Sequence, residues 1–182
     1  MADDNNVAAA NPTEGQPTQG EIGIQKLFLQ DVSFEAPGAP EIFRESGQTD
    51  INLNLSQKVK EFETDIYEVV LSLTITAKLG EKTAYIVEVQ QGGLFGVRGF
   101  EKQQIHAILG SYCPQLLYPY ARSVISDLVA HGGFPPLILQ HVDFNQVYLS
   151  HLKQQQEAQA KEAAEAGSDA APVEAAGSAT SH

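Results

Sequence analysis

Few side chains in this chain of 182 residues have the types and spacing that catalysis or metal binding requires. His131, His141 and His151 are ten residues apart, so no two of them have the i, i+4 spacing of a helical metal-binding pair. Cys113 is the single cysteine and lies in an apolar helical stripe, which favours a buried thiol over a nucleophile and excludes an internal disulfide. The sequence therefore predicts no metal site and no cofactor.

The run Gly-Gly-Leu-Phe-Gly-Val-Arg-Gly at 92–99 superficially resembles a phosphate-binding loop. Its spacing matches neither G-x-G-x-x-G nor a Walker loop, and the chain contains no G-x-S-x-G or H-E-x-x-H motif. We interpret the glycines as backbone turns that lead from a strand into a helix. The sequence predicts a protein that is not an enzyme, with an enzyme acting on an apolar small molecule in a groove as an open alternative.

The net charge of −12 argues against binding to nucleic acid, because a phosphate backbone requires clustered lysine and arginine. Residues 21–152 contain nine basic and fifteen acidic side chains, so the acidity belongs to the folded part and favours basic partners. No apolar run approaches the roughly 20 residues needed for insertion into a membrane. The N-terminus lacks the features of a secretory signal, which predicts a cytoplasmic location.

Composition divides the chain into three parts. Residues 1–20 contain mostly Ala, Asn, Gln, Pro and Gly, and we expect them to be disordered. Residues 21–153 contain the periodic apolar pattern of one folded domain. Residues 154–182 are acidic and rich in alanine, and we expect a second disordered tail.

Four segments alternate between apolar and polar side chains, as strands do. They begin near Ile22, Ile51, Ile66 and Thr83, and short turns separate the last three. A proline-rich loop after Glu35 separates the first two. Strict alternation in the first strand predicts one apolar face and one mixed face. The apolar face contains Ile22, Ile24, Phe28, Val32 and Phe34. The mixed face contains Leu27, Leu29, Asp31, Ser33 and Glu35.

From Glu101 the apolar period becomes helical. Pro114 predicts a kink early in this long helix, and Gly132 and Gly133 predict its end. The double proline after Phe134 predicts an extended segment, and Asp143 is typical of the N-cap of a final helix. These patterns predict an α+β fold with a four-stranded antiparallel sheet, one long kinked helix and a C-terminal helix.

Two features have a functional interpretation. The helices and the Phe-Pro-Pro-Leu-Ile-Leu loop at 134–139 carry more apolar surface than a small sheet covers. This excess predicts self-association or a groove for a flexible partner. The alternative is that packing within one chain buries all of it. The mixed sheet face combines acidic groups with an exposed aliphatic side chain, for which solvation is the simplest interpretation.

Several separated motifs resemble the SecB protein-export chaperone family across residues 22–153. They are Asp-Val-Ser-Phe-Glu-Ala-Pro at 31–37, Tyr-Glu-Val-Val-Leu at 67–71, Glu-Val-Gln-Gln-Gly-Gly-Leu-Phe at 88–95, Tyr-Cys-Pro-Gln-Leu-Leu-Tyr-Pro-Tyr-Ala-Arg at 112–122 and Gly-Phe-Pro-Pro-Leu at 133–137. The resemblance implies a SecB-like fold assembled as a homotetramer, a dimer of dimers. It implies an ATP-independent cytoplasmic chaperone of bacteria that keeps unfolded precursor polypeptides competent for translocation and delivers them to the SecA motor.

The resemblance also implies three sets of site residues. The SecA-binding set is Asp31, Glu35, Ile86 and Glu88. The client-binding groove set is Phe43, Ile51, Leu53, Leu55, Phe134, Leu137, Tyr148 and Leu152. The oligomer interface set is Val87, Val89, Gln91, Tyr112 and Cys113. Gly47 stands where many relatives have a tryptophan, and a SecB-like chaperone of a toxin–antitoxin system is the alternative function.

Overall fold

A computed structural model describes residues 20–168 of the chain. Four antiparallel strands form one sheet in the order β1-β4-β3-β2, so that β1 and β2 are its edges. Their bounds are Glu21–Glu35 for β1, Thr49–Glu63 for β2, Ile66–Leu79 for β3 and Lys82–Arg98 for β4. Tight turns join β2 to β3 and β3 to β4, whereas the connection from β1 to β2 crosses the sheet and contains a 3₁₀ turn at Glu41–Arg44. The predicted four-stranded antiparallel sheet is confirmed.

The helical part begins directly after the sheet. Helix α1 (Lys102–Ala107) continues through one π turn (Ile108–Tyr112) into α2 (Cys113–His131), and α3 (Phe144–Ser168) follows after an extended segment. Gly133, with a φ of +86°, lies where α2 ends, and the Asp143 side chain accepts hydrogen bonds from the first backbone amides of α3. The predicted long kinked helix and C-terminal helix are confirmed.

The kink follows from the missing amide proton of Pro114. In the π turn the amide of Cys113 donates to the carbonyl of Ile108, so the next carbonyl, that of Leu109, would require a donor at Pro114. The side chain of Gln57 on β2 supplies that donor, with its Nε2 2.7 Å from the Leu109 oxygen. A side-chain hydrogen bond therefore connects edge strand β2 to the kinked helix.

Helix α2 packs mainly on the two central strands, β4 and β3. The inward side chains of these strands and of α2 are fully buried and form the core, which includes Val69, Leu71, Ile75, Val87, Val89, Leu117, Ala121, Ile125 and Val129. The inward rows of the two edge strands are only partly covered. The core is thus narrower than the sheet.

The predicted alternation of β1 is wrong in its central part. The register shifts between Ile24 and Lys26 and again between Leu29 and Asp31, which are two β-bulges. Each bulge adds one residue and reverses which side chains face inward. Leu27 and Leu29 therefore lie on the same face as Val32, whereas Phe28 lies on the outer face with Asp31, Ser33 and Glu35.

The interpretation of the glycine run as a turn is also wrong for most of its length. Strand β4 continues through Gly92, Gly93 and Gly96 to Arg98, and of the glycines in this run Gly99 has a positive φ, of 73°. A β-carbon on Gly92 would lie 2.5 Å from the ring of Phe28, and one on Gly93 would lie 2.7 Å from the ring of Phe95. These glycines make room for aromatic rings that cross the sheet.

The C-terminal boundary at Lys153 requires a correction. Helix α3 continues to Ser168, so residues 154–168 are helical. Gln, Ala, Glu and Lys dominate this stretch, and all four have high helix propensity. The same composition is also typical of disordered segments, which is why the sequence interpretation ended the fold too early. The expected disorder of residues 1–19 and 169–182 lies outside the described residues.

Substituting Gly92 with Ala should lower the free energy of unfolding by about 1–3 kcal/mol, because the new methyl group overlaps the Phe28 ring. The cost should shrink when Phe28 is also replaced by Ala, and urea unfolding of both single variants and the double variant measures the difference. Gly23→Ala is the matched control, because a β-carbon there meets no atom within 4 Å. Equal costs of Gly92→Ala with and without the ring would contradict this explanation.

Candidate functional site

The inward row of β2 forms an open apolar surface along one edge of the sheet. Ile51, Leu53 and Leu55 pair with buried residues of β3 and therefore point to the helical side. Ile51 is nevertheless 41% exposed and Leu53 37% exposed, because no helix lies directly over them. This row is the floor of a groove between the sheet and the connections that surround it.

One end of the groove is a cavity of about 480 Å³ beneath the crossover connection. Four residues of the predicted groove set line it, namely Phe43, Ile51, Phe134 and Leu137. The rings of Phe43 and Phe134 have centroids 5.0 Å apart, and Phe134 also packs against Tyr85. An aromatic cluster thus brings the crossover connection, β4 and the segment after α2 together.

The other end of the groove is a cavity of about 350 Å³ between β2 and α3. Leu55, Tyr148 and Leu152 line it, so seven of the eight predicted groove residues line one of these two cavities. Leu53 lies between Ile51 and Leu55 on the same face of β2 and connects the two ends. The structure therefore brings together the predicted groove set.

Sequence reasoning missed a third cavity, of about 850 Å³, which lies farther along β2 than Gln57, next to α1 and α3. Tyr148 and Leu152 line it as well, together with Val59, Ile105 and His106. Val59 pairs with the buried Val69 and therefore belongs to the inward row of β2, and recognition of β2 as an edge strand would have indicated that Val59 is uncovered. Apolar surface is therefore accessible along most of this strand.

The predicted SecA-binding set lies together on the outer face of the sheet. Glu35 on β1 pairs with Ile86 on β4, and Ser33 pairs with Glu88, so the acids and the aliphatic residue occupy neighbouring rows. Asp31 follows in the next row, opposite Gln90. The bulge before Asp31 produces this arrangement by placing the three acids on one face.

These carboxylates are available to a partner. Asp31, Glu35 and Glu88 are exposed, and Ile86 is half-buried. The salt bridges among the described residues join Lys82 to Glu45 and Lys153 to Glu157, so neither involves this acidic patch. An exposed patch of one charge sign that includes an aliphatic side chain suits a partner that carries basic and apolar side chains.

The predicted oligomer interface set is mostly interior. Val87, Val89, Gln91 and Cys113 are buried within the chain, and the Gln91 amide donates to the backbone oxygen of Phe28 at 2.8 Å. Tyr112, on the outer side of the helix, is 45% exposed. Of this set, Tyr112 therefore offers exposed surface to another subunit, whereas the other four are covered within the chain.

Burial raises the pKa of the Cys113 thiol to about 12, so the group stays protonated at neutral pH and packs as a small apolar side chain.

The ring of His131 lies 2.7 Å from the backbone oxygen of Asp127, one helical turn earlier. In residues 20–160, whose side chains the structure describes, no three His, Cys, Asp or Glu side chains converge as metal ligands. Helices in the same range lack the combination of length and apolar character that a membrane crossing requires.

Comparisons with known proteins identify relatives that match most of the chain. The family model described as preprotein translocase subunit SecB matches residues 15–155. A protein-export protein SecB from Marinobacter nauticus is 45% identical over 162 residues, which cover 89% of this chain and 96% of that protein. One from Methylococcus capsulatus is 46% identical over 147 residues, which cover 80% of this chain and 95% of the relative.

A solved structure shares the fold. The SecB-like chaperone Rv1957 of Mycobacterium tuberculosis, solved in complex with a ChAD peptide from the HigA1 antitoxin, superposes with a TM-score of 0.57. The match covers 66% of this chain and 90% of that one at 18% identity, which establishes similarity of fold alone. With the family model matching most of the folded region and relatives near 45% identity over most of its length, the chain belongs to the SecB family.

Proposed function

We propose that this chain is a chaperone of protein export that binds unfolded precursor polypeptides and keeps them competent for translocation. The observation that carries the proposal is the uncovered apolar row of β2, which opens into a cavity at each end. Relatives that share about 45% of its sequence bear the name protein-export protein SecB. Export clients are held before they cross the membrane, so we place the protein in the bacterial cytoplasm.

The groove suits an extended polypeptide segment. Cavities of about 480 and 350 Å³ each have room for a few apolar side chains, and Leu53 offers a continuous apolar floor between them. A folded client would have buried such side chains, so the groove selects unfolded chains. Binding of the unfolded state delays folding by mass action, and the mechanism requires no cofactor and no chemical step.

Self-association completes the proposal. Strand β1 is an edge with free backbone groups, and its inward side chains Ile24, Leu29 and Val32 are exposed. Tyr112 and Tyr120 add exposed aromatic surface on the helical side. These two surfaces support a homotetramer built as a dimer of dimers, in which several grooves hold one client and weak contacts add up.

Delivery to the SecA motor is assigned to the acidic patch of Asp31, Glu35, Ile86 and Glu88 on the outer face. The groove lies on the opposite face of the same sheet, since paired residues such as Leu53 and Ile75 point inward while Glu88 and Thr74 point outward. A client and the motor therefore do not compete for the same surface. Charge complementarity would accelerate the encounter with a basic partner.

The alternative role in a toxin–antitoxin system is not carried forward, because the similarity to the antitoxin-bound chaperone is one of fold at 18% identity. We assign the groove no catalytic activity.

Replacing Leu53 with Ser should weaken the suppression of client aggregation. The substitution removes apolar contact area from the groove floor and should reduce affinity for a denatured precursor about tenfold per groove. Light scattering after dilution of the denatured precursor measures the effect. Asn54→Ser is the matched control, because Asn54 lies next to Leu53 but faces outward. A wild-type protein that is monomeric in size-exclusion chromatography and ignores the precursor would refute the proposed function.

Glu88→Lys should abolish binding to SecA while leaving aggregation suppression intact, because it reverses a charge at the centre of the acidic patch. Glu68→Lys is the control, since it makes the same change on the same face about 20 Å away along the sheet. Titration of SecA against each variant by calorimetry measures the difference. Equal loss of SecA binding in both variants would show that net charge rather than this patch mediates docking.

A further inference from the structure

The cavity beneath the crossover connection has a mostly apolar lining. Ile42, Phe43, Leu79 and Phe134 form much of its wall. Glu45 and Thr49 also line it, but both are exposed at its rim, and Glu45 is paired with Lys82. Tyr85, which is 4% exposed, lines the cavity as well, and its phenolic hydroxyl is the remaining polar side-chain group of the lining.

Packing fixes the orientation of the Tyr85 ring. The ring is stacked on Phe34, with centroids 6.0 Å apart and planes inclined by 22°, and it meets Phe134 at 4.9 Å with an inclination of 54°. Two aromatic neighbours leave the side chain little freedom. The hydroxyl is therefore held in place before any ligand arrives, which lowers the entropic cost of a contact with it.

No other described residue accounts for this hydroxyl. The side-chain hydrogen bonds within residues 20–160 include one from the Tyr118 hydroxyl to the Gln140 oxygen, but none that involves the Tyr85 hydroxyl. In the same range no fully buried side-chain oxygen or nitrogen lacks a partner. The Tyr85 hydroxyl consequently retains some access to solvent. Tyr85 is a lining residue of the cavity beneath the crossover connection. Burial raises the pKa of this phenol, so the group remains a hydrogen-bond donor at neutral and mildly alkaline pH.

We propose that the Tyr85 hydroxyl donates a hydrogen bond to a main-chain carbonyl of an extended polypeptide bound in this cavity. The inference rests on the proposed function, because it assumes that the groove binds unfolded chains. Apolar client side chains fill the space between Phe43 and Leu137, and every client segment carries backbone carbonyls beside those side chains. Burying such a carbonyl without a hydrogen-bond donor would cost free energy, and the Tyr85 hydroxyl removes that cost. Because every residue has a backbone carbonyl, the contact does not depend on the client's sequence. It does require that the backbone be extended, so that the carbonyl is exposed.

Tyr85→Phe tests the proposal, because it removes the hydroxyl and keeps the ring that packs on Phe34 and Phe134. The probe is a short apolar peptide that spans one groove, so that avidity does not mask the effect. Fluorescence anisotropy should show binding weakened about five- to tenfold, the loss expected for one hydrogen bond in an apolar site. Ser72→Ala, which removes a hydroxyl from the outer face of β3, should bind like the wild type.

A set of peptides with each amide replaced in turn by an ester identifies the contacted carbonyl, since an ester carbonyl is a weaker acceptor. One replacement should weaken binding to the wild type and have no further effect on Tyr85→Phe, which is the pattern of a direct contact in a double-mutant cycle. Equal affinity of Tyr85→Phe and wild type for the amide peptide would overturn this inference alone. Failure of the wild type to bind any of the peptides would instead overturn the proposed function.

Discussion

The width of one helix is the constraint on which both functional surfaces depend. An α-helix with its side chains is about 10 Å across, whereas the outer strands of a four-stranded sheet lie about 14 Å apart. Helix α2 lies on the two central strands and buries their inward residues, such as Ile75 and Val87, completely. The inward rows of both edge strands therefore stay only partly covered. Apolar surface remains available because the sheet is wider than its cover.

The two uncovered edges have different surroundings and support different roles. Beside β2, the crossover connection and α3 form the walls of a groove, and Gln57 ties the strand to the helix at the carbonyl that Pro114 leaves without a donor. Beside β1 no comparable wall is present among the described residues, so its edge is open to another sheet. The opposite face of the sheet carries the acidic patch. A single sheet thus separates a surface for clients from a surface for a basic partner.

Local signals in the sequence predicted the elements well. Alternation indicated all four strands, and Pro114, Gly133 and Asp143 marked the kink, the end of α2 and the start of α3. These signals act within a few residues of the chain, where propensity and capping decide the outcome. The groove residues were named through resemblance to a family, and the structure explains them by the edge position of β2.

The errors came from packing between distant residues. The two bulges in β1 depend on its register with β4, and alternation in one strand cannot reveal them. Gly92 is explained by the Phe28 ring on a neighbouring strand, which no local pattern indicates. Val87 and Val89, assigned through resemblance to a subunit interface, are buried within the chain, and their part in assembly stays a prediction.

The central claim is that unfolded polypeptide binds along the inward side of β2. A photo-crosslinking amino acid placed at Leu53 faces the groove, and one placed at the adjacent Asn52 faces the outer side of the sheet. Illumination in the presence of a denatured precursor should join the precursor to the chain at position 53 and not at position 52. Equal crosslinking at both positions, or crosslinking at 52 alone, would contradict the account.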